Sequence, residues 1–188
     1  MGQRGSKLSS EQLTELTKCT LFTKKEIMEW HSGFLREFPG GSLLLDDVCR
    51  IFKQFFPFGD SLKLAQHLFT IADMNEDGIV DFKEFIQTLS HFVRGNAKDR
   101  VKWLFKLYDM DEDGRIGKAE LLYIIDMIYR TVGDLSEFPS QQETPEDRAN
   151  VIFDQMDLDK DGYLSIEEFE LGCIRDSAIS EAMNFKFY

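Results

Sequence analysis

The sequence predicts an all-α fold in which helix–loop–helix units pair into two compact lobes. Two observations carry this prediction: acidic twelve-residue stretches begin at residues 73, 109 and 157, and apolar residues recur at helical intervals on both sides of them. The chain of 188 residues has 43% hydrophobic content, which is enough to build packed cores. Apolar residues of this kind flank the first stretch at Leu64, Leu68, Phe69, Phe82, Phe85, Ile86 and Leu89.

Capping residues predict where several helices begin. Ser9 is followed by Gln12, and Thr23 is followed by Glu26. Each pair has the three-residue spacing of a capping box, in which two side chains satisfy free backbone amides at a helix start. Pro145, directly after a threonine, predicts another start because proline suits the first position of a helix.

Each acidic stretch alternates oxygen-bearing side chains as calcium coordination requires. A calcium ion takes six to eight oxygens, which a tight loop supplies from positions 1, 3, 5, 7, 9 and 12, with glycine at the bend of position 6. Gly78, Gly114 and Gly162 occupy that bend. Three EF-hand loops binding three calcium ions are therefore predicted, with magnesium as the alternative occupant at rest. The expected ligands, with position 7 contributing its carbonyl, are Asp73, Asn75, Asp77, Ile79, Asp81 and Glu84; Asp109, Asp111, Asp113, Arg115 and Glu120; and Asp157, Asp159, Asp161, Tyr163 and Glu168.

Position 9 differs among the three loops. Asp81 and Ser165 carry side-chain oxygens there, whereas Gly117 can offer only a water. We therefore expect unequal affinities for calcium.

A degenerate loop is predicted one repeat upstream, at REFPGGSLLLDD (residues 36–47). Arg36 and Phe38 stand where ligands would be needed, and Asp47 replaces the final glutamate by a shorter acid. We call this the first loop, so the acidic stretches belong to the second, third and fourth hands. Its expected role is structural, because EF-hands bury their apolar faces in pairs.

Two small β pairings are expected to join the loops within each lobe. Leu43 should pair with Val80, and Ile116 with Leu164, as two-residue strands. The predicted lobes are residues 1–95 and 96–188, and the short connection between them favours a compact body.

Composition excludes several classes of function. A formal net charge of −12 repels phosphate groups, so no nucleic-acid partner is expected. Three scattered cysteines give neither a disulfide framework nor a zinc spacing, which is typical of a reducing cytoplasm. No apolar run approaches the roughly 18 residues of a spanning helix. No nucleophile motif or phosphate-binding glycine loop is present, so we expect a cytoplasmic protein that is not an enzyme.

The chain resembles the neuronal calcium sensor family over nearly its whole length, and its frequenin-like members most of all. The resemblance rests on the first loop with its Pro-Gly, on KQFFPFGD at residues 53–60, on the three competent loops and on MGQRGSKLS at the amino terminus. It departs from the family at Phe38, where cysteine is usual, and in the final AMNFKFY. The resemblance implies a calcium sensor that regulates target proteins, such as a phosphatidylinositol 4-kinase, a receptor kinase, a guanylate cyclase or a channel.

The amino terminus fits an acceptor for N-myristoylation. Gly2 follows the initiator and Ser6 lies at the expected distance. A single myristoyl chain binds membranes only marginally, so reversible membrane association is expected.

In sensor EF-hands, calcium separates the helices and exposes an apolar groove. The resemblance implies such a groove for an amphipathic target helix, although apolar stripes of this kind are by default core. The carboxyl-terminal tail, with Ile174, Ile179, Met183, Phe185 and Phe187, is a candidate cover. The expected lining is Trp30, Phe34, Ile51, Phe52, Phe55, Phe85 and Leu89.

Two alternatives to a sensor stay open. VDFKEF and LYDMDEDG are also compatible with a regulatory subunit of the calcineurin B type, but that class keeps a working first loop, which Arg36 and Phe38 oppose. The second alternative is a passive calcium buffer, which would barely open on binding.

Overall fold

The computed structural model describes residues 7–132 and 144–175, and it confirms the all-α class. The helices of these ranges are α1 (Ser10–Cys19), α2 (Lys24–Glu37), α3 (Leu45–Phe55), α4 (Leu62–Ala72), α5 (Phe82–Val93), α6 (Ala97–Tyr108), α7 (Lys118–Val132), α8 (Pro145–Met156) and α9 (Ile166–Arg175). The strands are β1 (Ser42–Leu43), β2 (Val80–Asp81), β3 (Ile116–Gly117) and β4 (Tyr163–Leu164).

Helix starts follow the predicted capping residues. The Ser9 hydroxyl accepts the Gln12 amide, and Gln12 returns its side-chain oxygen to the Ser9 amide. The same reciprocal pair forms at Thr23, and Pro145 lies in the first turn of α8. These local rules therefore place three of the helices from sequence.

The strands form two antiparallel pairs, as predicted. Leu43 lies opposite Val80 in the β1–β2 pair, and Ile116 lies opposite Leu164 in the β3–β4 pair. All four of these side chains are buried. Each pair therefore joins two loops through a buried apolar contact at position 8.

The chain divides into two compact units. One comprises Met1–Ile51 and Ala65–Arg100, and the other comprises Phe52–Leu64 and Val101–Tyr188. The lobe boundary expected between residues 95 and 96 stays a prediction.

The core of the first unit is rich in aromatic residues. Phe34 lies at its centre, with ring centroids 5.4 Å from Phe82 and 5.0 Å from Phe85. Its buried members are Leu16, Phe22, Ile27, Phe34, Leu43, Phe69, Val80, Phe82 and Ile86. Leu16 comes from α1, so the amino-terminal helix is part of this core.

Polar contacts also tie α5 to the first two helices. Lys83 pairs with Glu15 at 2.6 Å, and the buried Ser90 hydroxyl accepts the Leu21 amide at 2.8 Å. Arg94 pairs with Glu26. The exiting helix of the second hand is therefore held along its whole length against α1, α2 and their connection.

The core of the second unit packs around Phe169 of α9. Its ring centroid lies 5.7 Å from that of Phe105 and 5.8 Å from that of Tyr108. Tyr108 is buried, and this burial raises the pKa of its hydroxyl well above the ordinary range. The phenol is therefore neutral and acts as a core group.

Gly59 brings the segment before α4 onto the end of α7. The Asp60 amide donates to the Arg130 carbonyl at 2.8 Å. A Cβ at Gly59 would lie only 1.8 Å from the Thr131 carbonyl oxygen. Because no side chain fits at that distance, glycine is required for this close approach of two backbones.

None of the helices within the described ranges has both the length and the apolar character needed to cross a membrane.

Candidate metal centre

The second loop is closed by backbone amides that donate to its own carboxylates. The amide of Gly78 donates to Asp73 Oδ2 at 2.9 Å, and the amide of Asp77 donates to Asn75 Oδ1 at 2.9 Å. Glu84 accepts from the Asn75 amide at 3.2 Å and from the Asp81 amide at 3.0 Å. The position-12 carboxylate thus bridges both ends of the loop.

The third and fourth loops repeat this arrangement. Glu120 accepts the amides of Met110 at 2.8 Å and Gly117 at 2.7 Å. Glu168 accepts the amides of Leu158 and Ser165, both at 2.9 Å. The three predicted final ligands therefore occupy equivalent places.

Carboxylates converge inside the third and fourth loops. Oxygens of Asp109, Asp111 and Asp113 lie within 4.8 Å of one another, and so do those of Asp157, Asp159 and Asp161. In the second loop, position 3 is Asn75, and the Asp77 amide donates both to its Oδ1 and to Asp73 Oδ1, which brings these two oxygens together. Hard oxygens grouped at this density suit a divalent cation such as calcium.

An orphaned oxygen supports a cation in the fourth loop. Asp157 Oδ1 is buried and, among the described residues, has no hydrogen-bond partner. A buried carboxylate oxygen without a partner costs free energy, and metal coordination is one of the ways in which proteins satisfy it. The donor set and this atom together fit a calcium ion.

Electrostatics differ between two of the proposed ligands. Burial raises the pKa of Asp109, and the neighbouring charges of Glu120 and Asp113 act in the same direction, against hydrogen bonds from the amides of Gly114 and Asp113. At Glu168, burial also acts to raise the pKa, but hydrogen bonds from Ser165, Leu158 and Asp159 lower it overall. Burial is the main cause at Asp109, and the smaller part due to Glu120 and Asp113 is like-charge repulsion that a bound cation would relieve.

Left-handed backbone occurs at two positions of each acidic loop. The predicted glycines have φ of 84°, 84° and 85° at Gly78, Gly114 and Gly162. The second position, which the sequence did not predict, is position 4, where Glu76, Glu112 and Lys160 have φ of 59°, 58° and 59°. No residue type at position 4 signals this conformation, which costs roughly 1–2 kcal/mol for a residue with a Cβ.

The first loop keeps the bend but uses its acid differently. Gly41 has φ of 83°, like the other position-6 glycines. Asp47 Oδ2 accepts the Leu44 amide at 3.1 Å, while Oδ1 pairs with Arg50 at 2.6 Å. Arg36, at position 1, pairs with its neighbour Glu37 at 3.5 Å. These contacts support the predicted structural role of the first loop.

The structure describes all of the residues expected to line a groove, and their exposure varies. Phe34 and Phe52 are buried, while Trp30 is 39% and Phe55 58% exposed. Ile51, Phe85 and Leu89 are half-buried against the core of the first unit. Phe52 and Phe55 belong to the second unit and the other members to the first.

Several predictions lie outside the described residues. These are the lipidation site at Gly2 and the tail residues Ile179, Met183, Phe185 and Phe187. Of the tail, Ile174 is described and is 67% exposed at the end of α9.

Two segments of the chain match family models of known proteins. Residues 98–173 and residues 61–92 each match the family described as an EF-hand domain pair. The chain is therefore an EF-hand protein.

Two relatives are similar to nearly the whole chain and identify its family within the EF-hand proteins. The chain is 46% identical over 183 residues to Neuronal calcium sensor 1 of Lymnaea stagnalis, covering 97% of this chain and 96% of that protein. It is equally similar, over the same shares, to Neuronal calcium sensor 1 of Aplysia californica. The chain belongs to the neuronal calcium sensor family, which confirms the resemblance seen in the sequence.

Proposed function

We propose that the chain is a calcium sensor whose second, third and fourth hands each bind one calcium ion. The observation that carries this proposal is the convergence of loop carboxylates in the third and fourth hands, together with the orphaned oxygen of Asp157. The names of the two relatives support the same function. No catalytic role is proposed, and magnesium is the competing ion at rest.

Each loop would hold its ion with residues at equivalent positions. Side-chain oxygens at positions 1, 3, 5 and 12 and the carbonyl at position 7 form the proposed ligand sets, with Asp81 added at position 9 of the second loop. The bound ion would supply positive charge among the crowded carboxylates. The proposed side-chain ligands are Asp73, Asn75, Asp77, Asp81 and Glu84; Asp109, Asp111, Asp113 and Glu120; and Asp157, Asp159, Asp161 and Glu168, with carbonyls from Ile79, Arg115 and Tyr163.

Calorimetry with calcium tests the number of sites. Three equivalents are expected, with affinities of about 10⁻⁷ to 10⁻⁵ M, the range of sensor EF-hands. Glu120→Gln should weaken the third hand specifically, because it removes the charge of the position-12 ligand. Any other stoichiometry for the unsubstituted chain, or an unchanged titration for Glu120→Gln, would contradict the assignment.

The sensor would bind its target proteins through an apolar surface of the first unit. Trp30 is partly exposed, and its ring centroid lies 6.4 Å from Phe85 and 6.2 Å from Phe22. Separation of the helices on calcium binding would expose more of this cluster to an amphipathic helix of a target. A lipid kinase, a receptor kinase, a guanylate cyclase and a channel are the proposed target classes.

A hydrophobic dye tests whether the protein opens. Dye fluorescence should rise when calcium is added to the unsubstituted chain, and Trp30→Ala should reduce that rise. No calcium-dependent rise would instead favour a passive buffer.

Reversible membrane attachment through a myristoyl group on Gly2 is the last part of the proposal. It rests on the sequence pattern at residues 1–6 and on family membership. Co-expression with an N-myristoyltransferase should produce a chain that sediments with lipid vesicles, while Gly2→Ala should stay in the supernatant. Equal sedimentation of both would contradict lipid attachment.

A further inference from the structure

The β3–β4 pair places an aromatic residue opposite a glycine. Gly117, at position 9 of the third loop, lies opposite Tyr163, at position 7 of the fourth loop. A Cβ at Gly117 would lie 3.8 Å from Tyr163 Cε1 and 3.3 Å from Glu120 Oε2. The Tyr163 ring therefore covers the place where a ninth-position side chain of the third loop would begin.

Arg115 of the third loop completes this contact. Its Cζ lies 5.5 Å from the centroid of the Tyr163 ring. A guanidinium over an aromatic face is attracted by the quadrupole of the ring. The two position-7 side chains, whose carbonyls are the proposed ligands, thus form one stack that spans both loops.

The third loop lacks a hydrogen bond that the other two acidic loops possess. Asp81 Oδ1 accepts the Glu84 amide at 2.9 Å, and Ser165 Oγ accepts the Glu168 amide at 3.3 Å. Gly117 has no side chain to accept the amide of Glu120. An aromatic ring across from a strand glycine provides packing that the glycine itself cannot.

We propose that Tyr163 of the fourth hand is a positioning residue for the calcium site of the third hand, and that it couples the two sites. This inference rests on the proposed function. The ring restrains Gly117, whose amide holds Glu120 Oε2 at 2.7 Å. Calcium in the fourth loop would fix the Tyr163 backbone, and hence its ring, which prepares Glu120 for the second ion.

The test measures calcium affinity of the third hand from the NMR signal of the Gly114 amide. Tyr163→Ala should lower that affinity about three- to tenfold, since it removes a cross-strand pair and a cation–π contact. Tyr163→Phe keeps the ring and should stay within about twofold of the unsubstituted chain. Tyr123→Ala is the matched control, because Tyr123 is 42% exposed against 43% for Tyr163 but lies on α7, outside the loops.

Coupling is measured with the fourth hand disabled. Glu168→Gln should weaken the third hand in the chain that retains Tyr163, and it should have little further effect in Tyr163→Ala. Arg115→Gln should reduce the coupling to a smaller extent, since the ring stays in place.

Gly117→Ser gives the third loop the residue that the fourth loop has at position 9. Gly117 does not have a positive φ, and the nearest obstacle is the flexible end of Glu120, so serine should fit. In this background Tyr163→Ala should lose most of its effect. The NMR chemical shift of the Gly117 amide provides a readout without calcium. The ring current of Tyr163 should displace this shift from its value in an unfolded chain, and Tyr163→Ala should remove that displacement.

The outcomes separate this inference from the proposed function. If Tyr163→Ala keeps third-hand affinity within twofold and leaves the effect of Glu168→Gln unchanged, the positioning role is wrong and the sensor stands. If the unsubstituted chain shows no calcium binding in these two loops, both are wrong. If Tyr163→Ala fails to fold, Arg115→Gln decides, and unaltered coupling in that variant overturns the proposal.

Discussion

The first and second loops are paired through β1 and β2, but the carboxylates at position 12 of the two loops have different hydrogen-bond partners. In both loops one carboxylate oxygen accepts the amide of position 9, from Leu44 to Asp47 and from Asp81 to Glu84. The second oxygen of Glu84 reaches across the loop to the Asn75 amide, whereas that of the shorter Asp47 turns to Arg50. The bend and the strand pairing of an EF-hand are therefore kept in a loop whose position-12 acid has a different partner.

Among the substitutions in these two loops, Glu84→Gln should change calcium binding most. Removing the charge of the proposed bidentate ligand should weaken calcium binding in the second hand by about 10- to 100-fold, because the ion loses one contact with a charged group. Calorimetry should then report two strong sites. Asp47→Asn is the matched control in the first loop, and a change in its calcium titration would contradict a structural first loop.

Alanine at position 6 of the first and second loops distinguishes effects on stability from effects on calcium binding. Gly41→Ala and Gly78→Ala should each lower the free energy of unfolding of the calcium-free protein by about 1–2 kcal/mol, since both glycines have positive φ. Only Gly78→Ala should also lower calcium affinity. Chemical denaturation and calorimetry measure the two effects.

Gly33→Ala is the control for these bends. Gly33 lies inside α2 with nothing within 4 Å of an added Cβ, so alanine should stabilise the helix by about 0.5–1 kcal/mol. An equal loss at Gly33 and Gly41 would show that the positive φ is not the cause.

Removing the helix-capping acid of the first loop should have a moderate effect. Asp47→Ala takes away the acceptor for the Leu44 amide and should cost about 1 kcal/mol of stability. Arg50→Ala removes only the partner of a pair in which Arg50 is mostly exposed, so it should cost less than about 0.5 kcal/mol. Chemical denaturation of both variants without calcium checks this order, which the opposite ranking would overturn.

The pH dependence of stability should show the smallest effect, through His31. This residue of α2 packs edge-to-face against Phe82, the first residue of the second hand's exiting helix, with ring centroids 4.7 Å apart. Burial lowers the pKa of His31, so the unfolded chain binds its proton more readily. Its contribution is therefore fully present above the unfolded pKa and is lost as pH falls through the lower, folded pKa.

His31→Gln tests this dependence. Melting temperatures measured between pH 7 and pH 5 should fall less steeply for His31→Gln than for the unsubstituted chain. His67→Gln is the control on α4, and identical slopes for the unsubstituted chain and His31→Gln would contradict the role of His31.

Local sequence rules predicted much of this molecule. The caps at Ser9 and Thr23, the positive φ of Gly78 and the pairing of Leu43 with Val80 each depend on a few adjacent residues or on a repeat. The helices could be predicted for the same reason, because apolar periodicity and capping boxes involve residues close together in the chain.

Contacts between distant residues could not be predicted in the same way. The close approach of Gly59 to Thr131 and the cover of Gly117 by Tyr163 arise from packing of segments far apart in the chain. The pairing of Asp47 with Arg50 is local, but the residue types alone do not say which partner each carboxylate oxygen takes. The left-handed Glu76 follows from the closed loop and not from its own residue type.

Four glycine amides report whether three loops bind calcium while the first supplies only structure. Gly78, Gly114 and Gly162 each donate to the position-1 carboxylate of their loop, at 2.9, 3.1 and 3.2 Å, while Gly41 donates to the Phe38 carbonyl at 2.9 Å. In an NMR titration with calcium, the first three amides should each move to a new position and saturate, with the Gly41 amide shifting least. An unmoved amide among the three, or a fourth saturating site reported by Gly41, would contradict this division of roles among the loops.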